Sequence, residues 1–275
     1  IPGCGRTGPW AQIATMGNLI QAASGLNSLG GFEGRPPIGV GTAFPDFITP
    51  YMVATTVLAA LRQRARTGIG AEINYSQLAG AVAMLGVEYL HYTATGEAPL
   101  RRENRDPNYA PHGVYPALGV DEWVALAVEG DAQWRALAAE IGLPPDDPRY
   151  VTHDARLKGS AALEDTIAAW TRGHDRWEIA VRLQRLGIAA APVAHLEDSL
   201  TRDPVLSDHF VSVEAPPTDP GVSMLVDGEA IRFEGIDREI RRAPMLGEHN
   251  EYVLGEVAGL SAGEIDQLLV EGVIR

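Results

Sequence analysis

Two rhythms of apolar residues divide this chain. Over its first third they recur at helical spacing, and beyond Gly113 short runs of strand length enter between helical stretches. Trp10 to Leu26 sets Ile13, Met16, Ile20 and Ala23 on one helical face, with Gly25 or the Asn27-Ser-Leu-Gly-Gly31 turn as its stop. Gly34 to Gly41 is an irregular approach to the longest apolar stretch. From Met52 to Leu61 nearly every position is apolar or small, which predicts a helix buried on most sides. Two registers fit its start. Either Asp46 caps it, or Thr49 caps it with Pro50 at the first helical position, where proline's missing N–H costs nothing. The second is preferred, and it leaves Asp46 just ahead of the helix, close to its positive end. Arg62, Arg64 and Arg66 suit the negative end, and Gly68 suits the left-handed stop.

Glu72 to Tyr75 reads as a short strand, and Ser76 as the cap of a second buried helix from Gln77 to about Ala94. Thr95 to Pro111 breaks the pattern with Gly, Pro, Arg and Asn, and marks both a domain boundary and a functional loop. Strands are expected at Gly113 to Pro116 and Glu122 to Val128. Asp131 is expected to cap a helix running to about Glu140, and helices follow at Leu163 to Trp170 and Arg176 to Leu186. Gly113 to about Thr171 then forms a compact α/β unit, and Ile188 to Val193 returns as a strand. Asp203-Pro204 starts a short helix. Phe210 to Glu214, Val222 to Val226 and Ile231 to Phe233 read as strands with turns between. Glu248 to Leu260 and Ser261 to Val270 close the chain as helices. The fold class is α/β, without repeats or low-complexity tracts.

Composition narrows the partners. The chain has 275 residues, 45% hydrophobic and 21% charged, enough for a sizeable core in one large domain or two. A formal charge of −14 argues against nucleic acid or an anionic membrane surface, and no apolar run reads as long enough to span a membrane. An anionic small ligand would need a local basic pocket. One cysteine, Cys4, excludes an internal disulfide and fits a reducing, cytoplasmic compartment. No signal peptide is visible, and the opening on Ile1 is expected of a piece of a longer protein.

Among residues with chemistry, Asp46 stands first, because a carboxylate at the entrance of a buried helix must be capping, paired or working. Capping alone is the commoner use of such an aspartate. Gly3-Cys-Gly-Arg-Thr-Gly8 matches a dinucleotide fingerprint but lacks the strand before it and the helix directly after it, so it reads as a plain turn. Cys4 has no partner base. His112 reads as a loop hydrogen-bonder, and no paired spacing suggests a metal site. Arg101, Arg102 and Arg105 suit either ligand phosphates or a solvated loop. Trp123, Trp134 and Trp170 suit the core, and Glu248-His249 the start of a helix.

Four segments taken together resemble the family III CoA-transferases. They are the Gly5-Arg-Thr-Gly-Pro9 turn; Gly41-Thr-Ala-Phe-Pro-Asp46 with Leu58 to Gly68; the loop Asn104 to Gly113; and Ala191-Pro-Val193 with Leu246-Gly-Glu-His249. The resemblance runs the whole length. It implies that CoA moves from an acyl-CoA to a carboxylic acid, with Asp46 as nucleophile through anhydride and aspartyl-CoA thioester intermediates. It makes Asn108, Tyr109, Ala110, Pro111, His112 and Gly113 the loop that excludes water, with Gly113 supplying flexibility and backbone N–H groups facing an oxyanion. Arg105 is a candidate contact to CoA. The CoA thioester is substrate, and no permanently bound cofactor or metal is implied.

The same resemblance implies the C-terminal portion of such an enzyme. Residues 1–95 would be the helix-rich part of the large domain with the nucleophile turn. Residues 96–171 would be linker, active-site loop and small α/β domain, and 172–275 the return to the large domain. A Rossmann-like N-terminal half that contacts CoA is missing, so a homodimer, a complex with that half, or a non-catalytic fragment is expected. Related acyl-CoA racemases pair the aspartate with a histidine at the position of Met16, which carries no proton. The neighbouring position, often acidic in the family, is Gly17.

Overall fold

The computed structural model describes residues 1–99, 101–216, 221–236 and 239–275. The chain forms two compact units, Ile1–Val193 and Ala194–Arg275.

The first unit opens with helices α1 (Gly17–Ala23), α2 (Leu26–Leu29), α3 (Phe44–Thr67), α4 (Gln77–Ala83) and α5 (Gly86–Thr95). Residues 10–16, expected to be helical, instead form single turns closed by bonds such as Ile13 N–H to Trp10 C=O at 3.1 Å. The strand expected at Glu72 to Tyr75 does not form, since no described neighbour offers it an edge. Ser76 does cap α4, accepting from Ala79 N–H. The long helix expected after it breaks at Met84–Leu85, where bonds tighten to Ala81 and Val82 carbonyls and Gly86, a poor helix former, begins α5.

Helix α3 departs furthest from expectation. Only Pro45 and Thr49 are buried along its 24 residues, and Leu58 is 67% exposed. Apolar composition states a demand for cover, and the described residues cover one edge only. By length and composition, with mean hydropathy 1.3, α3 is long and apolar enough to cross a membrane, contrary to the sequence reading. Its end matches expectation. Gly68 adopts φ 74° and returns its N–H to Arg64, while Arg64 and Arg66 occupy the last turn.

The core of this unit lies further along. Strands β1 (His112–Pro116), β2 (Trp123–Ala127) and β3 (Ala189–Pro192) form an antiparallel sheet in that order, with Val114 opposite Ala125 and Leu126 opposite Ala190. Helices α6 (Asp131–Glu140), α7 (His153–Lys158), α8 (Ser160–Thr171) and α9 (Arg176–Arg185) accompany it. Alternation in β2 sends Val124 and Leu126 inward onto Trp134, Leu137, Ile167 and Leu183, all fully or almost fully buried. Each such side chain contributes about 1.5–3 kcal/mol by leaving water. The expected strands and helices here are in place, except that Gly130 takes the cap position and Asp131 the first turn of α6.

The second unit holds α10 (Asp198–Thr201), the hairpin of β4 (Phe210–Glu214) and β5 (Ser223–Asp227), a π-type helix Glu251–Val257, and α11 (Ala262–Val270). The turn expected between β4 and β5 includes residues 217–220, outside those described. Ile231 to Phe233 forms no strand. Asp203 accepts the N–H groups of Val205 and Leu206 and makes a turn where a short helix was expected. Ser261 and Glu264 cap α11 reciprocally.

Two substitutions check this picture by urea unfolding. Ile167→Ala, in the sealed core, is expected to lose about 2–5 kcal/mol. Ser261→Ala should lose about 0.5–2 kcal/mol.

Candidate functional site

Asp46 lies inside α3. Ala43 takes the cap position, Pro45 stands in the first turn and Asp46 follows it, its N–H reaching Ala43 C=O at 2.8 Å. The preferred register, with Thr49 as cap, is therefore overturned. Pro45 and Pro50 both suit a first turn, and the structure uses the earlier. Pro50 falls within the helix, so the donor that Asp46 C=O would normally receive is missing. Thr49 is 4% exposed, with its hydroxyl unpaired among the described residues. In this first turn the Asp46 carboxylate sits near the positive end of a long helix dipole.

Three segments place that carboxylate. Buried Gln21 on α1 donates its amide to Thr42 C=O and ties the turn ahead of α3 to α1. Gly17 at the start of α1 lies directly against the carboxylate: a Cβ built there would come 1.8 Å from Asp46 Oδ2 and 2.6 Å from Ala43 Cβ. Gln77 Nε2 donates to Asp46 Oδ1 at 2.7 Å. Gln77 is in turn held by the N-terminal turn, since its N–H reaches Pro2 C=O at 3.2 Å and Leu78 N–H reaches Gly3 C=O at 2.8 Å. The Gly3–Gly8 turn, α1, the start of α3 and the start of α4 thus meet around one carboxylate. Asp46 itself is exposed.

The loop Asn108–Gly113 is pinned. Asn108 N–H bonds Asp106 Oδ1 at 2.8 Å. Ala110 N–H bonds Val128 C=O at 3.0 Å, Val128 N–H bonds Pro111 C=O at 2.9 Å, and the Ala110–Pro111 peptide is cis. His112 Nδ1 meets Asn104 C=O, and the Tyr109 and His112 rings lie 5.9 Å apart. Gly113, expected to lend flexibility, is inside β1 opposite Leu126, where a Cβ would come 3.0 Å from the Tyr115 hydroxyl. Burial pushes that hydroxyl's pKa up. A cavity of about 220 Å³ between Phe32, His112, Gly113 and Asp165 borders the loop. Among the described residues no hydrogen bond or ion pair joins Asp46 to this loop.

Arg105, the candidate CoA contact, gives its fork to Glu164 at 2.8 and 2.9 Å, and that hydrogen-bonded pair raises its pKa. Sequence reasoning missed Arg156. Fully buried, it donates Nε to Ala110 C=O at 2.7 Å, Nη1 to Tyr150 C=O at 3.2 Å and Nη2 to Asp131 Oδ1 at 3.0 Å, with its guanidinium 5.5 Å from the Trp134 ring centre. It fastens the loop to the core. In the second unit, Glu248 receives Arg242 and the Met245 N–H, and these bonds hold its carboxyl down to about 2. No group of His, Cys, Asp and Glu among the described residues could hold a metal ion.

The sequence profile of CoA-transferase family III matches residues 1–250. A succinyl-CoA–D-citramalate CoA-transferase of Chloroflexus aurantiacus is 29% identical over 281 residues, covering 100% of this chain and 68% of that protein. A succinate–glutarate CoA-transferase of Agrobacterium fabrum is 29% identical, covering 94% and 64%. An acetyl-CoA:oxalate CoA-transferase of Acetobacter aceti is 34% identical, covering 94% and 66%. The crystal structure of a CAIB/BAIF family protein from Brucella suis superposes with a TM-score of 0.79 at 29% identity, covering 93% of this chain and 66% of that one. The likeness to that structure confirms the α/β fold.

Two outcomes test the ties described above. Arg156→Leu should cost about 1–3 kcal/mol for each buried carbonyl left without a donor, read by urea unfolding. Glu248, with its folded pKa depressed from 4.5 to about 2, stabilises above the higher value and loses that contribution as pH falls through the lower. The difference in melting temperature between wild type and Glu248→Gln should therefore shrink between these pH values.

Proposed function

The chain belongs to CoA-transferase family III, and from that membership we propose that it moves CoA from an acyl-CoA to a carboxylic acid, with Asp46 as covalent nucleophile. The observation that carries this reading is the exposed Asp46 carboxylate, fixed between Gly17 and Gln77 and free of any cation among the described residues. An Asp46 oxygen attacks the thioester carbon. The C–S bond breaks, and CoA thiolate leaves an acyl-aspartyl anhydride. The thiolate then adds to Asp46 Cγ and expels the donor's carboxylate, giving aspartyl-CoA. The acceptor carboxylate attacks that thioester carbon, forming a second anhydride and freeing thiolate. Attack of thiolate on the acceptor's acyl carbon gives the new acyl-CoA and restores Asp46. Each step exchanges one activated acyl bond for another, so no external energy source is needed.

The relatives' names pair succinyl- or acetyl-CoA with citramalate, glutarate or oxalate, and we extend small dicarboxylates to this chain as acceptors. A cytoplasmic homodimer, or a complex with a CoA-binding half, belongs to the same proposal. Among the described residues no hydrogen bond or ion pair links the loop Asn108–Gly113 to Asp46, and only Asp46 is carried into the mechanism. An acyl-CoA racemase would need a proton carrier where Met16 supplies a thioether.

The test uses the full-length protein with succinyl-CoA and hydroxylamine, followed by peptide mass spectrometry. Asp46 should emerge as the hydroxamate, and Asp46→Asn should fall to the background rate. A hydroxamate at another residue would overturn the assignment.

A further inference from the structure

Asp46 cannot do its work as a bare carboxylate, because its own carbon is attacked in the middle of the cycle. When thiolate adds to Cγ, negative charge gathers on the oxygen that stayed a carbonyl. That oxygen needs a donor already in place. The structure supplies one donor, and it is not among the residues that the sequence singled out.

We propose that Gln77 is a catalytic residue of this chain, donating the Nε2 hydrogen bond that stabilises the oxyanion formed on Asp46 Oδ1. The proposal rests on Asp46 being the nucleophile. Gln77 Nε2 lies 2.7 Å from Oδ1. Among the described residues Oδ2 receives no hydrogen bond and lies against Gly17, where any Cβ would overlap it. The two oxygens are therefore inequivalent. Oδ2 keeps its lone pairs and attacks the acyl carbon, while Oδ1 remains the carbonyl oxygen of the anhydride. When the CoA sulfur then bonds to Cγ, the carbonyl pair moves onto Oδ1, against the amide N–H. Collapse of that adduct breaks the Cγ–Oδ2 bond, releases the donor carboxylate with Oδ2, and returns the pair to the C=O bond. Opening of the aspartyl thioester by the acceptor passes through the same charge on Oδ1.

The placement suits that task. Gln77 is the first residue of α4, next to a cap that accepts from Ala79 N–H at 3.3 Å, and its backbone is bonded to Pro2. A donor held on such a framework does not have to reorganise as charge develops. An amide is neutral in every step, so it orients the ionised carboxylate without pairing off its charge.

The experiment measures the rate at which protein-bound CoA appears after mixing full-length protein with succinyl-CoA, by rapid quench and intact-protein mass spectrometry. Gln77→Leu should slow that step about a hundredfold or more, the range for loss of one oxyanion donor, with KM for succinyl-CoA within about twofold. Gln77→Glu should be slower still at pH 8, and should gain on Gln77→Leu as pH falls, because a protonated carboxyl regains a donor. A residue that only shapes the site would give a ratio independent of pH. If wild type forms the adduct on Asp46 while both variants match its rate within about threefold, the Gln77 assignment is overturned and the nucleophile stands. If Asp46→Asn still forms the CoA adduct, the nucleophile reading itself fails, and this inference with it. Should Gln77→Leu not fold, the pH-dependent ratio of Gln77→Glu to wild type decides the question.

Discussion

A side chain that residue 17 does not have makes the rest of the site possible. Any Cβ there would overlap the Asp46 carboxylate and Ala43 together. The turn ahead of α3 can then close down on α1, with Gln21 fastening Thr42 behind it. Family resemblance makes position 17 one that is often acidic. In this chain the Asp46 carboxylate fills that space.

Features governed by rules a few residues long were legible in the sequence. Ser76 and Ser261 cap their helices, Gly68 stops α3 in the left-handed region, and the strands around Val114, Leu126 and Ala190 alternate as their side chains require. What was not legible depends on contacts between distant segments. Pro45 and Pro50 satisfy the same local rule, and only the packing of Gly17 and Gln21 against the turn selects the first. Apolar residues in α3 announced burial but not which residues would provide it. Gln77 gave no signal at all, because a glutamine just past a cap is ordinarily a solvated helix residue. Asp46 was found through resemblance; its spacing alone favoured a cap.

Arg156 shows how a loop expected to move is made stiff. A guanidinium taken fully out of water is tolerable only if its donors are met. Two backbone carbonyls, a half-exposed aspartate and an indole face meet them. Because one of those carbonyls belongs to Ala110, the loop cannot swing away without stranding that charge. Arg105 on Glu164 adds an outer tie at the loop's entrance. The β1–β2 ladder, continued by Ala110, Val128 and Pro111, adds an inner one. The ties bind Asn108–Gly113 to the sheet and its helices, and none binds it to Asp46.

Asp46 differs from the chain's arginine-paired carboxylates. Glu164 receives both nitrogens of Arg105, and Asp147 receives both from Arg149. Glu248 takes the fork of Arg242 and is driven down to about 2. Each of these carboxylates has both oxygens, or its charge, committed to an arginine, which suits a structural tie and spoils a nucleophile. Asp46 is given one neutral N–H on one oxygen and a glycine beside the other. Such an arrangement fixes the orientation of the group without a cation, as Gln267 Nε2 at 2.8 Å also does for Glu271. The role proposed for Asp46, an acid that attacks, carries an acyl group and is attacked in turn, calls for a fixed orientation and for a charge that no arginine has taken up.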